Sequence, residues 1–489
     1  MKPYKLNEAP NDWKEQLNSF VPKHKSANWG SDSPVSDCFR SSYLPASNPV
    51  ADKKEPQTEN GIFFGKDLIM PIESDYFAAV FGGTSSGKTS IIMKHTLFET
   101  WNKPFVAIDI KGDLCKEYQT LENSRKASVL SFRDELEQTY DPLQHVREGC
   151  DEDKVSNIEE IVNALIELPV NTRDPFWIES ERSLVTAGML FFYNRGMDDF
   201  TAIMVTIATT PLNKLIQEIA DSDDDEAKIF INHFITECYD EKSDTYFNVV
   251  ACETKMLVCI GQGITNKLKI FSDPRIARVL AKSDNQVKWT DLDDYNVFIS
   301  VPEDRLSRYG GILSMIITQL VRAMERRPEM HTPEGQNQQK VLLALDEFAR
   351  LGKMDIIADA VSTLRSKGIT VLLVMQSLAQ LDRIYGKDTR RIIMENMSYF
   401  AILRVTDTES QEYFSKLIGT SKVKRVSYST GVGGGTYSEQ TSESHEPTVW
   451  SHKFRTLKDM IVLTPDDDNM SRVDKEFYHS KETDEEVSD

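Results

Sequence analysis

Gly82-Gly83-Thr84-Ser85-Ser86-Gly87-Lys88-Thr89 is a glycine-rich turn that matches the pattern GxxxxGK[ST]. An apolar, strand-like run, Tyr76–Phe81, leads into it, and a helical run from Lys88 to Thr100 leads out. Glycines let backbone N–H groups converge on phosphate oxygens without Cβ clashes, and a helix start favours negative charge. The next strand, Phe105–Ile110, closes on Lys111-Gly112-Asp113, which completes one βαβ unit. The pattern predicts an α/β fold whose first crossover cradles a nucleotide on Gly82, Gly83, Thr84, Ser85, Ser86, Gly87, Lys88 and Thr89. Lys88 is expected to reach the β- and γ-phosphates, and Thr89 to offer its hydroxyl to Mg²⁺.

Further along, about 260 residues past the loop, the apolar run Val341–Leu345 ends in Asp346-Glu347. A buried strand ending in two carboxylates supplies Asp346 to the magnesium shell and leaves Glu347 as general base for an attacking water. ATP and Mg²⁺ are therefore the expected cofactors, and phosphoanhydride hydrolysis the expected reaction. Strand Ile369–Met375 ends in Gln376-Ser377, where an amide can sense the γ-phosphate or orient water. Arg365 precedes that strand and is a candidate arginine finger for a neighbouring copy's site. Taken singly, Gln376 and Arg365 are more often a structural hydrogen bonder or a solvated charge. Asn296–Val301 and Phe400–Val405 are also near-continuous apolar runs, as a parallel sheet covered on both faces requires.

Between the two halves of that sheet the character changes. Asp174-Pro175 and Thr210-Pro211 are helix starts, and Trp177, Ile178, Leu184, Leu190 and Phe191 recur at helical spacing. Ala227–Tyr239 and Phe247–Ile260 also read as helices, so residues 148–285 are expected to form an all-α domain. This block holds 25 acidic and 13 basic side chains, a net charge of −12 out of −20 for the 489-residue chain. An acidic surface argues against simple DNA coating. Residues 350–391, by contrast, hold four acidic and eight basic side chains, or +4, and with Lys422, Lys424 and Arg425 could line a channel for a nucleic-acid backbone.

The remaining divisions are an extended polar arm at 1–60, a discontinuous nucleotide-binding domain at 61–147 and 286–463, and an acidic, mobile tail at 464–489. Residues 427–445, rich in Ser, Thr and Gly, read as a flexible loop. The six cysteines show no CxxC pair, which argues against zinc and against a disulfide framework. No run reaches the 18 or so apolar residues of a membrane helix.

Several stretches carry a more specific likeness. They are Ile108-Asp109-Ile110-Lys111-Gly112-Asp113, Tyr140-Asp141-Pro142-Leu143 and Asp174-Pro175-Phe176-Trp177, then Leu345–Lys353 and Gln376–Gly386. Together they resemble the TraG/TraD-type coupling proteins of type IV secretion and conjugation. The resemblance implies a RecA-like P-loop motor domain with a mostly parallel sheet, interrupted by an all-α domain and assembling as a hexamer. It also implies partners: relaxase–DNA complexes or secreted proteins as cargo, and components of a secretion channel. Leu364-Arg365-Ser366-Lys367-Gly368 resembles the family's trans-acting arginine segment. Members typically carry transmembrane helices before a segment like Lys25–Gly30. Here about two dozen mostly polar residues precede it, so a cytoplasmic location with recruitment to the inner membrane face is expected. Two other readings remain: a cargo receptor or adaptor that uses nucleotide as an assembly switch, and a DNA pump of the FtsK/HerA kind.

Overall fold

Nine strands form one sheet, in the order Ser471–Val473, Met460–Leu463, Tyr399–Ile402, Ala78–Phe81, Ile369–Met375, Val341–Leu345, Phe105–Asp109, Asn296–Ser300 and Ala127–Ser131. The computed structural model describes residues 60–122, 124–133, 138–169, 172–240, 244–361, 363–430, 437–465 and 470–478. The proposed arm lies outside them except for Asn60, as do residues 479–489 of the proposed tail.

The chain enters through a short antiparallel hairpin, β1 (Gly61–Gly65) and β2 (Leu68–Pro71). The main sheet then takes β3 (Ala78–Phe81), β4 (Phe105–Asp109) and β5 (Ala127–Ser131) from the first half of the chain. After a two-stranded excursion, β6 (Ile235–Asp240) and β7 (Thr245–Val250), it takes β8 (Asn296–Ser300), β9 (Val341–Leu345), β10 (Ile369–Met375) and β11 (Tyr399–Ile402). All seven main strands run parallel. A separate ribbon, β12 (Thr420–Thr430) with β13 (Tyr437–Pro447), precedes β14 (Met460–Leu463) and β15 (Ser471–Val473), which add antiparallel at one edge.

Every residue of β4, β8, β9 and β10 is buried, which accounts for their unbroken apolar runs. Alternate residues feed two cores. Val371, Leu373 and Met375 of β10 face one, while Leu372 and Val374 face the other. Each such side chain contributes roughly 1.5–3 kcal/mol when withdrawn from water. The first core also takes helices Leu306–Glu325 and Leu378–Glu395 and most of the 148–285 segment. The second takes the helical run that follows the glycine-rich turn.

That run is wound wider than an α-helix over Lys88–Met93 and Thr96–Thr100. Thr96 and Thr100 tie it to the β1–β2 hairpin. Thr96 Oγ1 accepts from Phe63 N–H at 3.1 Å, and Thr100 Oγ1 donates to the Gly61 carbonyl at 2.7 Å.

The 148–285 segment is mostly helical, as expected, with long helices at Phe176–Asn194 and Thr254–Leu268. Gly263 lets those two approach closely, because a Cβ there would fall on the Glu181 carboxylate. The segment is not all-helical, however. The stretches read as helices over Ala227–Tyr239 and Phe247–Ile260 are α-helical only within Asp225–Ile229 and Thr254–Leu268; between those helices lies the antiparallel β6–β7 hairpin. Thr, Tyr, Phe and Val dominate it, residues that suit a pleated, half-buried surface. Trp177, placed on the buried stripe by spacing, stays 40% exposed.

Two further expectations are corrected. Residues 427–445 are not a loop throughout: they hold part of the antiparallel β12–β13 ribbon, and only 431–436 lie outside the described residues. Nor is the stretch after 464 wholly a tail, since β15 completes the sheet edge beside β14.

Candidate active site

The parallel strands end at one edge, and β10 lies between β3 and β9. The glycine-rich turn after β3 and the acid pair after β9 are therefore not neighbours in the sheet. Gln376, following β10, emerges between them. Met375 is in register with Phe81, and Leu373 with Leu345, so β3 and β10 end level and β9 ends two residues earlier.

The turn itself is held by its backbone. Gly82 N–H donates to the Met375 carbonyl at 3.1 Å, and Gly83 N–H to the Arg404 carbonyl at 2.7 Å. Ser85 and Gly87 adopt positive φ, 58° and 97°. Gly87 also has no room for a Cβ, which would lie 2.4 Å from Ile91 Cδ1.

Lys88 is almost wholly buried and folds back over its own turn, donating to the Gly82 carbonyl at 2.8 Å. Its Nζ lies 3.7 Å from Glu347 Oε1. Thr89 Oγ1 donates to Asp346 Oδ2 at 3.1 Å, joining residues 257 positions apart. Gln376 Nε2 donates to both Glu347 oxygens, at 3.1 and 2.9 Å. Glu347 itself sits in the left-handed region, φ 49°, and its N–H donates to Asp346 Oδ1 at 2.9 Å. A non-glycine residue held there is costly, and such residues collect at working sites. Burial, reinforced by the neighbouring Glu347 charge, pushes the Asp346 carboxyl up to about 6.

These residues fit a magnesium nucleotide. Ser86 Oγ is buried in the turn without a hydrogen-bond partner among the described residues, as a donor awaiting a phosphate oxygen would be. Lys88 occupies carbonyls that an anion would relieve. Thr89 and Asp346 together offer one hydroxyl and one carboxylate, the small protein share of a magnesium shell whose other ligands are phosphates and water.

Thus Lys88, Thr89, Asp346, Glu347 and Gln376 meet. Arg365 does not join them. It stands before β10 at the opposite edge, its guanidinium 4.8 Å from the Phe77 ring centroid and donating to the Asn396 carbonyl.

The other motifs build the frame. Asp109, buried at the end of β4, accepts from Gly112 and Cys115 N–H at 2.7 and 3.1 Å, and burial holds its carboxyl above the usual range. Tyr140 donates to Gln319 at 2.6 Å and accepts from Trp289 at 2.9 Å. Phe348 stacks on Tyr385, whose hydroxyl accepts from Met354 N–H at 3.1 Å, so the two longest motifs pack on each other.

Part of the basic stretch is ion-paired. Arg350 pairs with Glu303, Lys353 with Asp355, and Arg390 with Asp382, each at 2.7 Å. Lys422 and Lys424 pair with Glu443, and Arg425 with Glu446, across the β12–β13 ribbon. The charge counted along the chain is therefore not a bare cationic stripe. Sequence reading missed Arg404, which follows β11 at the working edge and donates to the Thr84 carbonyl at 3.3 Å. Its position after a parallel strand was the available signal.

Among the described residues, no helix is long and apolar enough to cross a membrane. Comparison with known proteins places this geometry. Residues 35–486 match the model of the family described as type IV secretory system conjugative DNA transfer. The chain is 23% identical over 453 residues to protein VirD4 of Rhizobium rhizogenes, covering 90% of this chain and 63% of the relative. It is 21% identical over 433 residues to the conjugal transfer protein TraG of Escherichia coli, covering 83% and 66%. The match thus spans less than two thirds of the VirD4 relative's length. In fold it is similar to the plasmid coupling protein TrwB, solved with a non-hydrolysable ATP analogue. There the TM-score is 0.65 at 16% identity, covering 87% of this chain and 91% of that one.

Proposed function

This chain belongs to the family of type IV secretory system conjugative DNA-transfer proteins, and from that premise we propose that it is an ATP-hydrolysing coupling protein. It recruits DNA–relaxase complexes or effector proteins to a secretion channel and drives their passage. One observation carries this reading: Lys88, Thr89, Asp346, Glu347 and Gln376 converge at one sheet edge from three separate strands.

In this reading Lys88 leaves the Gly82 carbonyl for the β- and γ-phosphates, and the turn's N–H groups hold the remaining oxygens. Thr89 and Asp346 would hold Mg²⁺, which would supply neutralisation of the phosphate charge. Glu347 takes a proton from water as the water oxygen bonds to the γ-phosphorus and the bond to the ADP oxygen breaks. Gln376 keeps the Glu347 carboxylate aimed. A nucleotide switch without hydrolysis has no use for Glu347 and Gln376 in that arrangement.

The 61–147 and 286–463 segments act as the motor, and 148–285 as the cargo-facing insert. Its acidic turn supports a docking role for basic protein cargo. Asp221, Asp223 and Asp225 are exposed, whereas Asp224 is spent capping Ala227 N–H. Gln217 joins this turn to the hairpin by donating to Asp221 at 2.9 Å and to the Asn248 carbonyl at 2.9 Å. Arg365, at the far edge, serves the site of a neighbour in a hexamer. Location is the cytoplasm, at the inner face of the membrane.

The decisive experiment measures ATP turnover with and without DNA, with particle mass recorded alongside. Turnover that rises with DNA in a species near six chains, and disappears in Lys88→Ala, supports the motor. Low turnover that no cargo raises supports the adaptor reading instead.

A further inference from the structure

The catalytic groups fix one end of the nucleotide. Lys88, Glu347 and Gln376 gather over β9 and β10, so the γ-phosphate lies on that side of the turn. The sheet order puts β11, β14 and β15 on the other side of β3. A triphosphate stretched across the turn therefore delivers its nucleoside toward β15.

The chain that leaves β15 crosses that corner. Tyr478 N–H donates to the Ser90 carbonyl at 2.9 Å, and the Tyr478 ring meets His95 and Phe98 edge-on, with centroids 5.4 and 5.3 Å apart. Glu476 lies 3.8 Å from Lys66 of the β1–β2 hairpin. Phe477 lies between these two anchors. Its ring is 50% exposed, and its Cε1 would lie 3.2 Å from a Cβ on Gly87. Single exposed phenylalanines are ordinary on protein surfaces. This one stands against the phosphate-binding turn at Gly87, and it follows a strand on the side of the sheet away from β9 and β10.

We propose that Phe477 is the stacking platform for the nucleobase, so that residues 474–478 form part of the nucleotide site. The inference rests on the nucleotide reading of the Lys88 turn given above. An aromatic face accepts any base, so the platform adds affinity without choosing between adenine and guanine.

The test compares MgATP with magnesium tripolyphosphate, which has the phosphates but no base, in direct binding titrations. Phe477→Leu keeps apolar contact with Gly87 but lacks a π face. Phe477→Ala removes both, and Phe477→Trp keeps the π face. The expected result is about a tenfold weakening of ATP binding in the Leu and Ala variants, the scale of one base–aromatic stack. GTP should weaken equally, tripolyphosphate binding should hold at the wild-type value, and Trp should restore ATP binding. Thermal unfolding confirms that each variant is folded. Equal loss for ATP and tripolyphosphate would assign Phe477 a purely structural role and overturn the platform. So would unchanged ATP binding in Phe477→Leu. Loss of both ligands in Lys88→Ala, with no effect of Phe477→Leu, removes the platform alone. A wild-type chain that binds neither ligand removes the nucleotide reading, and the platform with it.

Discussion

Strand β10 carries a candidate catalytic residue beyond each end, and the two ends differ in kind. Beyond Met375, Gln376 grips both oxygens of Glu347, inside a cluster that includes Lys88 and Asp346. Before Ile369, Arg365 lies over Phe77 and donates to a backbone carbonyl, with none of the other candidate site residues beside it. Seven extended residues separate the ends by roughly 20 Å or more. Parallel strands deliver all their C-terminal ends to one edge, so one chain can assemble a site there. The opposite edge can contribute to such a site only through another copy.

The largest effect that sharpens this contrast comes from Arg365. If it acts across a ring, Arg365→Ala lowers turnover about 10³-fold in the assembled protein. Mixing inactive Arg365→Ala with inactive Glu347→Gln should then restore measurable turnover, because some sites combine an intact Glu347 with a neighbour's intact arginine. A loss of only a few-fold, with lowered thermal stability, would make the far edge structural and break the contrast. Next, Glu347→Gln should cut turnover about 10²-fold or more while nucleotide binding survives. Gln376→Ala, which frees the Glu347 carboxylate without removing it, should cost about tenfold in kcat and little in KM.

Acidity offers a smaller lever on the same edge. Asp346 is pushed up to about 6 by burial and by Glu347, above its ordinary 3.8. Between those values the folded chain binds a proton that the unfolded chain has lost. The nucleotide-free protein should therefore gain stability as pH falls from 7 to 5, and lose it again as pH rises through 6. Magnesium nucleotide needs the carboxylate, so its affinity should fall over the same descent. Asp346→Asn should flatten both profiles, measured by thermal unfolding and by MgATP titration across pH. The smallest expected effect lies far from the sheet. Reversing Asp221, Asp223 and Asp225 to lysine should weaken binding of basic cargo several-fold at low salt and leave basal turnover unchanged. Unchanged cargo binding would remove the acidic turn as a docking face.

Much of the working edge was legible beforehand because its residues obey local rules. A phosphate turn needs glycines at fixed offsets, and a buried parallel strand needs an unbroken apolar run, so Gly82–Thr89 and Val341–Glu347 declared themselves. The β6–β7 hairpin and the β12–β13 ribbon did not, since their alternation is written in Thr, Ser and Tyr rather than in strong apolar contrast. Ion pairing was equally hidden. Lys422, Lys424 and Arg425 look like a basic run until the facing strand supplies Glu443 and Glu446.

By itself, then, the order of residues determined which groups this protein has for phosphate, metal and water, because each of those chemistries demands particular side chains at short, fixed separations. Only the tertiary structure decided which groups meet. The placing of β10 between β3 and β9 sets Gln376 on Glu347 and exiles Arg365, and β15 brings Phe477 to the turn nearly 400 positions earlier in the chain. Strand order is a property of how two apolar faces are covered, and no local spacing encodes it.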